Sequence, residues 1–218
     1  MIIDSISDLH GNYPPLEGGD LLILAGDYTK RDKLSEWNEF YKWLADQTYK
    51  LKVYIGGNHD NFLESCIPSQ MARQIDPDYP KDIEYLCDSG VEFEGLKIWG
   101  SPWIRSFPDM NRACKAFTVD TEEELQKKWD LIPSDVDILI THSPPYGVLD
   151  TTIRKECVGS KSLQMELFRR LETKLFVCGH IHESYGIEPP GGFIKRAVNA
   201  SHVNENYEPV NKPIRIIL

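Results

Sequence analysis

Little in this chain serves covalent cross-linking or membrane insertion. Its 218 residues include five cysteines, Cys66, Cys87, Cys114, Cys157 and Cys178, an odd and scattered set with no CxxC spacing. That pattern argues against a disulfide framework and a thiolate zinc site, and favours reduced thiols in a cytoplasmic setting. No apolar run approaches the roughly 18 residues that a membrane span requires, so no membrane partner is expected. The first residues lead into Asp4 and Asp8 rather than through a basic region into an apolar segment, and no secretion signal is expected. Positive charge is also short: 24 Lys and Arg stand against 34 Asp and Glu, a formal net charge of -10. Long nucleic acids call for the opposite balance, because cations must neutralise their phosphates. A small anionic substrate survives that exclusion, since divalent ions held by carboxylates turn a pocket electropositive within an acidic surface.

The chain also lacks Gly/Ser-rich or Pro-rich linkers, internal repeats and low-complexity tracts, so residues 1–218 read as a single domain. Its hydrophobic share of 41% and charged share of 27% are those of an ordinary globular protein. Nothing in the composition bears on oligomeric state.

Short apolar runs alternate with longer stretches of helical period, the pattern of an α/β protein. Strands are expected at Met1 to Ser7, Asp20 to Ala25, Lys52 to Ile55, Val91 to Trp99, Asp137 to Thr141, Lys174 to Cys178, Phe193 to Val198 and Pro213 to Leu218. One helix is expected over Ser35 to Gln47, with Trp37, Phe40, Tyr41 and Leu44 on one face and Ser35 as N-cap. Another opens at Thr121 through the capping box Thr121-Glu122-Glu123-Glu124, followed by Leu125 and Trp129 one turn apart. A third spans Ser160 to Leu171, with Leu163, Leu167, Phe168 and Leu171 on one stripe. Gly100 to Val119 and Ser143 to Gly159 have no clear period and are expected to rim a pocket.

Five of the six histidines lie in acidic or glycine-bearing stretches at or just past strand ends. These are Asp8-Leu9-His10, Gly57-Asn58-His59-Asp60, Thr141-His142 and Gly179-His180-Ile181-His182, and Gly26-Asp27 joins them without a histidine. Asp8 and His10 are two apart, so both side chains leave one face of an extended chain, and His180 and His182 repeat the spacing. The glycine before Asp27 permits a sharp turn, and a carboxylate there has two oxygens with which to bridge two cations. A lone histidine at a strand end is ordinarily a packed or surface residue. Five strand ends each delivering hard or borderline ligands are not explained by packing, which prefers Val or Ile at buried positions.

In order, these stretches resemble the signature of the calcineurin-like metallophosphoesterases: D-x-H, G-D, G-N-H-D/E, H and G-H-x-H. The resemblance implies a four-layer α/β/β/α sandwich with a two-metal centre between strand ends. It gives Asp8, His10 and His182 to one ion, Asn58, His142 and His180 to the other, and Asp27 to both. His59 is left free of metal as the general acid for the leaving group, with Asp60 holding or polarising its imidazole. Oxygen and imidazole donors without thiolate suit two divalent ions from among Mn, Fe, Zn and Mg, with manganese the first expectation. Such a pair lowers the pKa of a shared water for in-line attack on phosphorus.

Finer features look like the small metallophosphoesterase-domain group related to the mammalian fetal-brain proteins. They include Gly100-Ser101-Pro102-Trp103, Thr141-His142-Ser143-Pro144-Pro145-Tyr146-Gly147 and Val198-Asn199-Ala200-Ser201. The expectation is a phosphodiesterase acting on a small phosphorylated substrate, with nucleotides and cyclic nucleotides among the candidates. The alternatives are a phosphomonoesterase or protein phosphatase, a nuclease, and a nucleotide-binding protein of low turnover. Arg31, four residues after Asp27, has the spacing of a phosphate-holding arginine in the protein phosphatases, although a solvated loop charge is the plainer reading. Trp103, Phe107 and Tyr146 are candidates for stacking a base or for core packing. Asn199 and His202 are candidates for a hydrogen bond near the pocket, and Arg105, Arg112 and Arg154 for substrate charge contacts.

Overall fold

The computed structural model describes residues 1–76, 78–107, 111, 113–170, 172–188 and 195–218. The chain begins β1 (Ile2–Ile6), β2 (Gly19–Leu24), α1 (Leu34–Ala45), β3 (Tyr49–Tyr54), α2 (Asn61–Glu64), α3 (Ser69–Ile75) and β4 (Ile83–Tyr85). It continues as β5 (Ser89–Phe93), β6 (Leu96–Ser101), β7 (Ile104–Arg105), β8 (Thr118–Val119), α4 (Glu122–Trp129) and β9 (Ile138–Thr141). Then come α5 (Lys161–Arg169), β10 (Leu175–Cys178), a 3-10 turn at His182–Ser184, β11 (Gly186–Glu188), β12 (Ala197–Asn199) and β13 (Ile214–Ile217).

Two sheets face each other. One has the order β13-β1-β2-β3-β4 and the other β11-β12-β10-β9-β6-β5, while β7 and β8 form a small separate ribbon. Within the first, β1 to β4 run parallel; within the second, β6, β9, β10 and β12 run parallel. Side-chain alternation explains the stacking. In β2, Leu21 and Ile23 join Ile138, Ile140 and Val177 of the second sheet in one core. Leu22 and Leu24, pointing the other way, pack with Trp37, Phe40 and Leu44 of α1. On the far side, Leu139 and Phe176 meet Leu125 and Trp129 of α4 and Leu163 and Leu167 of α5. The result is the α/β/β/α sandwich, its central strands apolar on both faces as buried parallel strands are.

Three expectations are corrected. Val91 to Trp99 is not one strand but the hairpin β5–β6, in which Phe93 pairs with Leu96. Its two turn residues, Glu94 (φ 47°) and Gly95 (φ 80°), are both left-handed, the backbone of a tight two-residue turn. Ser35 does not cap α1, which starts at Leu34 after Lys33. Glu36 does that work, accepting the amides of Arg31 and Lys33 at 2.9 and 3.2 Å. Phe168 of α5 is 59% exposed instead of sharing the buried stripe. Leu171, and the first two residues of the strand expected over Phe193 to Val198, lie outside the described residues. The Thr121 capping box is present as expected, with Thr121 Oγ1 accepting the Glu124 amide and Glu124 Oε2 accepting the Thr121 amide, both at 3.2 Å.

Candidate metal centre

Parallel strands from both sheets end at one edge, and the polar residues follow them there. Asp8 and His10 come after β1, Asp27 after β2, Asn58 and His59 after β3, His142 after β9, and His180 and His182 after β10. An isolated bridge between Ser7 and Ser201 stitches the sheets together beside them. Four of these residues sit in the left-handed region: Asp8 (φ 53°), His10 (φ 43°), Asp27 (φ 60°) and His180 (φ 68°). Left-handed backbone is uncommon outside glycine, and its clustering here turns each side chain abruptly off its strand toward a common point. Two glycines make room. Gly26 has φ +104°, and a Cβ there would meet His142 Nδ1 at 2.6 Å. A Cβ on Gly179 would collide with Ser7 Oγ and Asp8 Oδ2.

Three groupings result, each contributing ligand atoms within 4.8 Å of one another: Asp8, His10 and His182; His10, Asp27 and His59; and Asp8, Asp27 and His142. Asp27 Oδ2 is the hub. It lies 3.3 Å from His142 Nε2, 3.8 Å from His10 Nε2 and 3.9 Å from His59 Nε2. Its partner Oδ1 accepts the His59 amide at 2.8 Å, so one carboxylate oxygen rather than two faces the cluster. Asp8 Oδ1 lies 3.3 Å from His182 Nε2. Asn58 Oδ1 is 3.1 Å from His142 Nε2, and the rings of His142 and His180 are 5.0 Å apart. Of the seven residues expected to hold metal, Asp8, His10, Asp27, His142 and His182 share these groupings, while Asn58 and the His180 ring lie against His142.

The donor set fits cations. His10 Nε2 is buried without a hydrogen-bond partner, an atom aimed into the cluster with nothing to bind. Asp8 and Asp27 are buried, and among the described residues neither has a Lys or Arg partner. Other polar groups hold these side chains in place. His142 Nδ1 donates to the Ala25 carbonyl at 2.7 Å and His182 Nδ1 to the Asn204 carbonyl at 3.1 Å, which turns both Nε2 atoms to the centre. Asp8 accepts the His180 amide at 3.0 Å and lies 2.9 Å from Ser201 Oγ. Asn199 ties the G-H-x-H loop by donating to the carbonyls of Gly179 and Ile181 at 3.3 and 2.9 Å.

Left to themselves, these groups balance charge internally. Burial pushes the Asp8 carboxyl up, but the hydrogen bond and charge of His182 hold it below the usual range. Asp27 is likewise low, burial being outweighed by the charges of His142 and His59. Burial pulls His142 down, yet the Asp27 carboxylate carries it up to about 9. His10 and His180 are lowered to about 4 and about 3, chiefly by burial, and so stay neutral as metal binding requires.

Asp60 does not hold His59. Its carboxylate is fully buried and accepts the amides of Asp27 at 2.7 Å, Gly57 at 2.8 Å and Tyr28 at 3.1 Å. Burial and the nearby Asp27 charge raise its pKa, against the pull of those amides. It therefore shapes the Asp27 turn. His59 Nδ1 instead faces Cys114 Sγ at 3.4 Å, a thiol that burial keeps protonated.

Other candidates divide. Arg31 and Arg105 line cavities beside the centre, as does Phe107, whose ring is 6.3 Å from that of His180. Trp103 is structural: its indole donates to Asp88 at 2.8 Å beneath the Lys128 ammonium. Tyr146 lies half-buried near Lys161, and Arg154 is exposed. His202 is buried, its Nδ1 donating to the Asn211 carbonyl at 2.7 Å. Arg112 lies outside the described residues. Ser201 and Tyr207 were not expected at the centre; Ser201 adjoins the noted Asn199, but nothing in the sequence marks Tyr207.

Sheets that converge on a carboxylate and imidazole cluster define an α/β sandwich of the metallophosphoesterase type, and the cluster fits a dinuclear metal site. The chain belongs to the calcineurin-like phosphoesterase family, whose model matches residues 1–184. It is 36% identical to human "Metallophosphoesterase domain-containing protein 1" over 98% of this chain and 69% of that protein. Among solved structures, TT1561 of Thermus thermophilus aligns with TM-score 0.59 and 17% identity over 91% of this chain and 88% of that one. A dimetal phosphatase from Danio rerio aligns with TM-score 0.50 and 11% identity, covering 91% and 86% respectively. At those identities the two structures speak for the fold alone. No helix among the described residues is long and apolar enough to cross a membrane.

Proposed function

We propose that this metal-dependent phosphoesterase is a phosphodiesterase for small phosphodiesters, nucleotide-derived and cyclic ones among the candidates, with manganese as its working ion. The observation that carries the reading is the Asp27 Oδ2 hub, a buried carboxylate oxygen ringed by three imidazole nitrogens at 3.3 to 3.9 Å. Asp8, His10 and His182 would hold one cation, Asn58, His142 and His180 the other, and Asp27 both. Two such ions supply Lewis acidity, lowering the pKa of water and neutralising charge on the phosphoryl oxygens.

The chain's own residues supply the proton. Protonated on both ring nitrogens, His59 would direct Nδ1–H to Cys114 Sγ and keep its second proton on Nε2, the nitrogen nearer the cluster. His59 can then protonate the departing oxygen. The charge on the rim favours a diester over a monoester dianion. Arg31 shares its cavity with Asp32 and Glu36, and Arg105 Nη1 lies 3.9 Å from Glu122 Oε1. The net charge of -10 disfavours long nucleic acid, and the five free cysteines suit a reducing cytoplasmic setting.

Metal content and turnover of bis(4-nitrophenyl) phosphate and 4-nitrophenyl phosphate, measured with manganese, test the reading. Two ions per chain with faster diester cleavage are expected. His59→Ala should keep both ions while losing about 100-fold or more in turnover, most severely with poor leaving groups. Equal loss for good and poor leaving groups would contradict the acid role. Faster monoester cleavage would favour a phosphomonoesterase, and nucleotide binding without turnover would favour a binding protein.

A further inference from the structure

Tyr207 stands over the metal centre, outside residues 1–184 that the family model matches. Its ring centroid lies 4.8 Å from that of His10 and 5.3 Å from that of His182, edge-on to both. Its backbone is left-handed, φ 62°, a costly conformation for a large aromatic residue that persists only where the surroundings impose it. A tight turn does so here. The Asn204 carbonyl accepts the Tyr207 amide at 2.9 Å, and Asn204 Oδ1 accepts the amides of Asn206 and Glu208 at 2.9 and 3.0 Å. The same carbonyl accepts His182 Nδ1–H at 3.1 Å, so the turn is registered to a residue of the cluster itself.

Among the described residues, two cavities open around this ring. One, of about 630 Å³, includes His10, Asn12 and Arg31 in its wall. The other, of about 610 Å³, includes His180, Phe107 and Val158. Tyr207 and His59 line both. Each volume falls in the roughly 300–1,000 Å³ range of pockets that take a whole small ligand. Their side chains differ: Arg31, Asp32 and Glu36 stand in the first, whereas the second includes the exposed apolar side chains of Phe107 and Val158.

We propose that Tyr207 is a specificity-determining residue that divides the approach to the centre, and that the substrate is an acyclic phosphodiester seating one sizeable substituent in each cavity, the flatter group beside Phe107. This rests on the phosphodiesterase reading and narrows it. A cyclic diester carries both ester oxygens on one ring and occupies one cavity, and a monoester leaves one cavity to water. Only an acyclic diester dehydrates the Tyr207 ring from both sides, where apolar burial favours binding. Hydrolysis adds water across one P–O bond, leaving a phosphomonoester in one cavity and an alcohol in the other.

The test uses thymidine 5′-(4-nitrophenyl) phosphate, 2′,3′-cyclic AMP and 4-nitrophenyl phosphate with manganese-loaded wild type, Tyr207→Ala and Tyr207→Phe. Calorimetry adds the affinity for thymidine 5′-benzylphosphonate, in which a P–C bond replaces the scissile ester, and for inorganic phosphate. The wild type should favour the acyclic diester by about tenfold or more in kcat/KM. Tyr207→Ala should lose about tenfold on that substrate, mainly through KM, and a similar factor in benzylphosphonate affinity. Metal content and phosphate affinity should stay within about twofold, and Tyr207→Phe should retain the preference. Unchanged preference and binding in Tyr207→Ala, equal loss on every substrate, or a wild type fastest on the cyclic diester would overturn the proposal while leaving the phosphodiesterase reading intact. A wild type fastest on the monoester would overturn that reading itself.

Discussion

At the scale of single residues, candidate ligands stand out because metal chemistry favours a few side-chain types at strand ends. Asp8, His10, Asp27, Asn58, His142, His180 and His182 are legible as candidates, and the fold brings them to the same end of the two sheets. Orientation was not legible. Asp60, one residue from His59, looks like its partner until the turn geometry directs the carboxylate to three backbone amides instead. Asparagine in its place presents a donor where an acceptor is needed. Asp60→Asn should therefore destabilise the protein by about 1–3 kcal/mol in urea denaturation, together with weaker metal retention. A variant of unchanged stability would return Asp60 to a role at the imidazole. Tyr207 was hidden because a left-handed tyrosine is set by its turn, not by its residue type.

At the scale of elements, local chemistry was readable where the sequence carries its own partners. Thr121 and Glu124 cap α4 reciprocally, and removing the hydroxyl in Thr121→Ala should cost about 1 kcal/mol of stability. Chemical denaturation measures that loss, and metal content should not change, because α4 packs on the outer face of the second sheet. The hairpin β5–β6 escaped notice since Glu94-Gly95 is a weaker turn signal than Asn-Gly or Asp-Gly, and the apolar residues around it suggest a continuous run. The start of α1 is set instead by Glu36 reaching backward to two amides, an arrangement that has no hydroxyl cap to mark it in the sequence.

At the scale of the whole molecule, apolar alternation revealed strands but not which strands pair, since pairing joins residues distant in sequence. The stitch between Ser7 and Ser201 is such a link, and His202 follows it. Burial lowers the His202 pKa below the ordinary value of 6.5, opposed by the hydrogen bond to Asn211. An unfolded chain then binds more protons than the folded one, so stability from this group is present above about pH 6.5 and is lost as pH falls toward the folded value. Below about pH 6.5 this contribution is lost, and His202→Asn should flatten the slope of unfolding free energy against pH there relative to wild type. An unaltered slope would remove His202 as its source. The left-handed strand ends carry a consequence of a different kind. At position 10, glycine or asparagine would relax the main chain, and among the described residues His10 Nε2 has no hydrogen bond to forfeit. Selection for heat resistance alone would thus tend to erase this histidine, so under the proposed metal role durability and turnover would pull in opposite directions here.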